Sequence, residues 1–298
     1  MAYLCAAQFC RADYLMNTDT HSHQRGILAV VAAAVIWSTG GLFIKLLPFD
    51  ASVILFYRSV CAALLFVLVY RADALRWNKR VAIAAFFYMT LLVLFVHATK
   101  LTTAANAIFL QYSAPIYVLI AEPLWFKTRL ERANVLTIVA CLVGMVLFFS
   151  DAWQGGSWLG NGLAVLSGIM LAGLLLTQRA NSAAEQQSAI FWGNAAIAFV
   201  NLSAFLASPT PTSGQAIMLG YLGFVQIGLG YLLFTYGLRR TLAIESALLA
   251  MIEPILLPIW VWIGYGEKPS QQSLIGGAII VLALAIRSVW VEIKNKKK

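Results

Sequence analysis

Apolar stretches of about 20 residues, the length that crosses a hydrocarbon core of about 30 Å, recur along the whole chain and alternate with short polar connections. The pattern predicts ten helical spans, at 27–47, 50–70, 81–99, 103–125, 133–149, 158–177, 189–206, 217–236, 242–264 and 274–290. No connection is long enough to hold a second soluble domain. The predicted class is therefore an all-α integral membrane protein.

The pattern repeats. Shifting the chain on itself by 139 residues brings Phe95 onto Phe234, Thr102 onto Thr241 and Ala104 onto Ala243. The same shift aligns Pro115 with Pro254, Ile116 with Ile255 and Ile120 with Ile259, and sets Lys100 against Arg239. Spans one to five superpose on spans six to ten, with a proline inside both fourth helices. An odd number of spans per half requires the halves to enter the membrane in opposite directions. Inverted repeats with interrupted helices at matching positions point to a secondary transporter whose site lies at the midplane between the halves. The expected organisation is a tail at 1–24, repeats at 25–150 and 151–293, and a basic tail at 294–298.

Composition agrees: 61% of the 298 residues are hydrophobic and 11% are charged, against roughly 25% charged in an ordinary soluble domain. Mean hydropathy is +0.81. The net charge of +9 admits nucleic acid as a partner until its distribution is read. With the N-terminus inside, 17 of the 21 Lys and Arg fall on the cytoplasmic side, three outside (Lys45, Lys100, Lys268), and Arg58 within a span. That is the positive-inside signature. It places both termini in the cytoplasm of a multi-pass cell (inner) membrane protein and makes anionic lipid, not nucleic acid, the partner of the basic charge. The first residues lack the charged start and cleavage site of a signal peptide, and Met16 is an alternative start. The cysteines form no CxxC pair, so neither a disulfide framework nor a zinc site is expected.

Polar groups at depth carry the candidate chemistry. Glu253, followed by Pro254, lies near the middle of the ninth span, roughly 16–18 Å from either end at about 1.5 Å per residue. An acid at that depth is a functional-site hypothesis by default. Pro254 frees the carbonyl of Ala250, and Pro258 and Pro115 are further helix-breaking positions. Two readings stand: Glu253 exchanges a proton with solute or ion, or it is structural, either protonated and donating to a carbonyl freed by Pro254 or Pro258, or ionised and paired with Arg58. Arg58 is deep enough in the second span to need a partner, either a solute carboxylate or another helix. In the fourth span Ala107, Gln111, Ala114 and Val118 share a helical face, with Tyr112 and Asn106 close by; cavity lining and interhelical hydrogen bonding both fit. Trp37-Ser38-Thr39-Gly40-Gly41 marks a bend or close approach in the first span. Gly156, Gly160, Ala164, Gly168 and Ala172 form a small-residue packing stripe in the sixth. Gln226, Tyr231 and Tyr236 are eighth-span candidates for the same cavity. Glu122 is read as a partner of Lys127 or Arg129, and Glu245 as a first-turn acid suited to the helix dipole.

These features together resemble the EamA-type permeases of the drug/metabolite transporter superfamily, over about residues 25–293. The likeness rests on two five-helix halves, Arg58 in FYRSVCAALL, AANAIFLQYSAPIYVLIAEPLWF in the fourth span, and ESALLAMIEPILLPIWVWIGYGEKPS before the Gly276–Gly277 helix. The first half departs from the second in having Ala114 where the second has Glu253, and Lys127–Thr128 in place of the later Gly-Glu. The resemblance implies alternating access around a central cavity lined by helices 1, 3, 4, 6, 8 and 9. It also implies transport of a small organic metabolite, often export of amino acids or amphiphilic compounds.

No phosphate-binding GxxxxGK loop and no HExxH motif occurs, so nucleotide hydrolysis and zinc proteolysis are not expected. The aspartates lie in connections or at span ends, without the paired carboxylates a Mg-dependent membrane transferase would use. No cofactor, metal or catalytic residue is expected. A membrane transferase and a passive channel are the alternatives; a lipid-linked product would mark the first, and conductance above carrier turnover the second. Monomer and homodimer both fit.

Overall fold

The structure, a computed structural model, describes residues 20–126, 132–153, 157–238, 240–241, 246 and 249–296. Glu245, Lys127, Arg129, Gly156 and the side chain of Glu122 lie outside the described residues, as do residues 1–19 of the N-terminal tail and Lys297–Lys298. All regular structure among the described residues is helical.

The first span is α1 (Thr20–Ser38) and α2 (Gly40–Leu46), parted by a single turn residue, Thr39. The second is α3 (Ala51–Tyr70), followed by a 3₁₀ turn at Arg71–Leu75. The third, α4 (Lys79–Leu101), starts where Asn78 Oδ1 accepts the Val81 N–H at 2.9 Å, satisfying one of the free first-turn donors. The fourth is broken into α5 (Ala104–Gln111) and α6 (Ala114–Phe126), and α7 (Arg132–Trp153) closes the first half.

The second half runs α8 (Trp158–Ala180), α9 (Ala183–Val200) with its short extension α10 (Leu202–Ala207), then α11 (Ser213–Gly220). A π-helical segment, Tyr221–Leu229, joins α11 to α12 (Gly230–Leu238), and α13 (Ile252–Tyr265) and α14 (Gln271–Lys296) end the chain. Gly266 terminates α13 in the left-handed conformation, φ 77°, its N–H returning to Trp262 O at 3.1 Å. Among the described residues, five helical stretches can cross a membrane by length and composition: His21–Leu46, Ala51–Leu75, Lys79–Leu101, Trp158–Thr177 and Ser213–Leu238. Val135–Leu147, Ile252–Tyr265 and Gln271–Arg287 are shorter apolar stretches. Large apolar side chains such as Leu136, Phe199 and Ile263 point outward, as a lipid-facing belt requires.

The halves interlock. α4 packs on α8, α1 on α12, α3 on α9, α7 on α14, and α5 on α13. Exchanging each span for its counterpart 139 residues away turns the first pairing into the second and leaves the other three unchanged. The packing thus obeys the symmetry of the sequence repeat. The small-residue stripe on α8 makes close approach possible: a Cβ on Gly168 would sit 3.0 Å from Gln111 O. Two buried clusters result. One centres on Ile54, Phe66, Tyr88 and Leu222, the other on Ile108, Cys141, Leu257 and Ile280.

Candidate functional site

The site lies on the seam between these clusters, where Tyr231 packs against the first and Tyr112 against the second. The fourth span breaks at Tyr112–Ser113: α5 ends at Gln111, Ser113 O accepts the Ile116 N–H at 2.8 Å, and α6 restarts one residue before Pro115. The ninth breaks at the matching place, with Met251 as turn residue and Pro254 in the first turn of α13. Helix α13 runs on through Pro258, which forgoes only the bond to Pro254 O.

At these breaks the repeats touch. The Tyr112 hydroxyl lies 2.8 Å from Glu253 Oε2 and 3.3 Å from Ala250 O, the carbonyl that Pro254 deprives of its helical donor. Both side chains keep some accessible surface at this depth. Tyr231 is within electrostatic reach of Glu253, Tyr88 and Arg58. Arg58 is not paired with Glu253. Its Nη2 donates to Gln226 Oε1 at 3.0 Å, and Gln226 Nε2 donates to Trp37 O at 3.3 Å, linking α3, the π segment and α1. Arg58 is 2% exposed, yet its Nε and Nη1, and Trp37 Nε1, are buried without a hydrogen-bond partner.

Trp37 meets Tyr231 edge-on with ring centroids 5.1 Å apart. Ser38 Oγ accepts from Trp260 Nε1 at 2.9 Å, tying the first span's bend to α13. Glu253, Tyr112, Tyr231, Arg58, Gln226, Trp37 and Ser38 thus form one connected region. Gln111 sits at its edge: its side chain accepts a 3.3 Å bond from Ser167 on α8. The helix break means that the face Ala107–Gln111–Ala114–Val118 is not continuous. Tyr236 lies apart, beneath the Arg240 guanidinium at 3.6 Å.

Sequence reasoning missed two features. The π segment carries Gln226, and its wider turn was hidden in an unbroken apolar run whose only sign is Gly223, Gly228 and Gly230. A Cβ on Gly223 would sit 2.3 Å from Cys61 Cβ and 2.6 Å from Arg58 O, so this close contact with α3 requires glycine. The second is a polar latch at one end. Lys45 Nζ meets Glu267 Oε2 at 2.7 Å and Thr102 O at 2.7 Å, while Glu267 Oε1 accepts the Ala104 N–H at 2.7 Å at the start of α5. Lys100 Nζ adds a 2.6 Å bond to Leu47 O. At the other end a cavity of about 280 Å³ is lined by Tyr70, Gln187, Leu232, Thr235, Tyr236 and Arg240. It lies one helical turn from Tyr231, whose carbonyl accepts from Thr235 Oγ1.

This interlocked two-repeat architecture matches a known family. The EamA-like transporter family matches residues 24–150 and 158–289. The chain belongs to that family. A relative from Archaeoglobus fulgidus, described as an uncharacterized transporter, is 26% identical over 270 residues, covering 88% of this chain and 95% of the relative. The pseudopaline exporter CntI of Pseudomonas aeruginosa is 23% identical over 270 residues, covering 87% of this chain and 94% of the exporter. One crystal structure superposes with TM-score 0.60 at 20% identity, covering 89% of this chain and 96% of the other, a likeness of fold. The EamA-family chain is therefore a multi-pass membrane transporter of small solutes.

Proposed function

We propose that this chain is a ten-span secondary transporter that exports a small organic metabolite by alternating access across the cell membrane, with both termini cytoplasmic. The observation that carries the reading is the Tyr112–Glu253 contact, because it joins the broken helix of one repeat to the broken helix of the other at mid-depth. An acid and a tyrosine there can bind a polar solute group, and the acid can take up and release a proton. Under the positive-inside reading the Lys45–Glu267 latch is the outer end and the Arg240 cavity the inner one. The structure then corresponds to a carrier shut outside and indented inside. Rocking the repeats would break the latch and close the inner cavity.

The test is flux in proteoliposomes against a panel of radiolabelled amino acids, nucleosides and amphiphilic cations, with and without a pH gradient. Wild type is expected to exchange at least one panel member and to respond to the gradient. Glu253→Gln is expected to keep exchange while losing the pH response. A pH response unchanged in Glu253→Gln would refute the proton role, and lipid-linked product formation or ion conductance would refute transport by a carrier.

A further inference from the structure

On the outward-facing side of the bundle, α4 and α9 run side by side and leave a trough of about 420 Å³. On α4 it is lined by Ala82, Ala85, Phe86 and Met89. On α9 it is lined by Trp192, Ala195, Ala196 and Phe199. Both sets follow the spacing i, i+3, i+4, i+7, one face of a helix, and the alanines set the floor between walls of larger side chains. Phe86 and Phe199 are 59% and 78% exposed, so the trough opens away from the protein. From Ala82 to Met89 it extends roughly 10 Å along the helix axis, a large part of one leaflet of a core about 30 Å thick.

The trough ends in a polar lip. Trp77 stands edge-on to Trp192 at 5.1 Å, and Trp192 Nε1 donates to Arg76 O at 3.1 Å, an arrangement suited to the membrane interface. Around this end Arg71, Arg76, Lys79 and Arg80 are all exposed. The acids facing them are Asp73, which pairs with Arg76 at 2.6 Å, and Glu185, which accepts from Asn78 Nδ2 at 2.8 Å. Four cations against two acids leave the lip positive, with Lys79 beside the trough mouth.

We infer that this trough and lip are a binding site for an anionic phospholipid, its acyl chain lying between α4 and α9 and its phosphate held by Lys79 and Arg80. A basic pocket at the interface between two transmembrane helices recognises such headgroups, each cation near the surface adding to the attraction. A second copy of the chain fits less well, since two positive lips would face each other.

The experiment uses the full chain in detergent micelles and counts bound lipid by native mass spectrometry after adding phosphatidylglycerol or phosphatidylcholine. Wild type is expected to retain phosphatidylglycerol at least several-fold over phosphatidylcholine. Lys79→Gln/Arg80→Gln is expected to abolish that preference while leaving the melting temperature in lipid-free detergent unchanged. Ala195→Leu/Ala196→Leu, which fills the trough, is expected to lower retention of both lipids. Equal retention of the two lipids by wild type, or retention unaffected by the filled trough, would overturn the assignment. So would a lipid-free dimer that the filled trough disrupts. Solute flux of either variant does not bear on it, which keeps it separable from the transport reading.

Discussion

A buried guanidinium with a single neutral partner sets up an asymmetry between two substitutions. Gln226→Leu leaves the Arg58 charge in place and strips its one bond, whereas Arg58→Met removes the charge together with its unpartnered Nε and Nη1. Hydrogen bonds to charged groups contribute about 1.5–3 kcal/mol, and an apolar substitute often matches a buried charge in stability. Gln226→Leu should therefore lower stability by about 2 kcal/mol, and Arg58→Met by distinctly less, read by denaturant unfolding in micelles. The reverse order would show that Arg58 has a partner the structure does not reveal. Tyr112 and Glu253 should behave as one unit: a Tyr112→Phe/Glu253→Gln double-mutant cycle is expected to show a coupling above about 0.5 kcal/mol, and additivity would deny the bond. Glu253, Pro254 and Arg58 stood out in the sequence because charge and proline are rare at such depth. Their pairings did not, since nothing in the order of residues ties Arg58 to Gln226 across 168 positions.

At the level of helices, hydropathy marked the apolar runs, and among the described residues five of them are helical stretches long enough to cross a membrane, because burial in lipid leaves a long apolar run no other structure. It could not show where a run is interrupted. The break at Tyr112–Ser113 is signalled by Pro115, but the one-residue turn at Thr39 and the π segment at Tyr221–Leu229 leave only glycines as a trace. A glycine inside the π segment and one outside it have separable roles. Gly223→Ala would drive a Cβ into Cys61 and the Arg58 carbonyl and should cost about 1–3 kcal/mol, the range for overpacking. Gly214→Ala in α11, where a Cβ meets nothing within 4 Å, should be neutral or gain up to about 1 kcal/mol from helix propensity. Thermal unfolding in micelles separates the two, and a Gly223→Ala protein as stable as Gly214→Ala would place the π segment elsewhere.

Taken as a whole, the molecule has a seam between two interlocked repeats, a charged latch at one end of it and a cavity at the other. The repeat was legible because matched prolines and hydropathy survive where identity does not. The latch was not, because Lys45 and Glu267 lie 222 residues apart and nothing in the order of residues pairs them. A two-sided device makes a demand that no solute need be known to test. The measurement is the labelling of Gln111→Cys, in a background without native cysteines, by a membrane-impermeant maleimide from each side of sealed vesicles. It is compared with and without a disulfide between Lys45→Cys and Glu267→Cys. The account predicts labelling from both sides when the latch is free, and only from the Arg240 side when it is locked. Labelling from neither side, or from both with the latch locked, would contradict it.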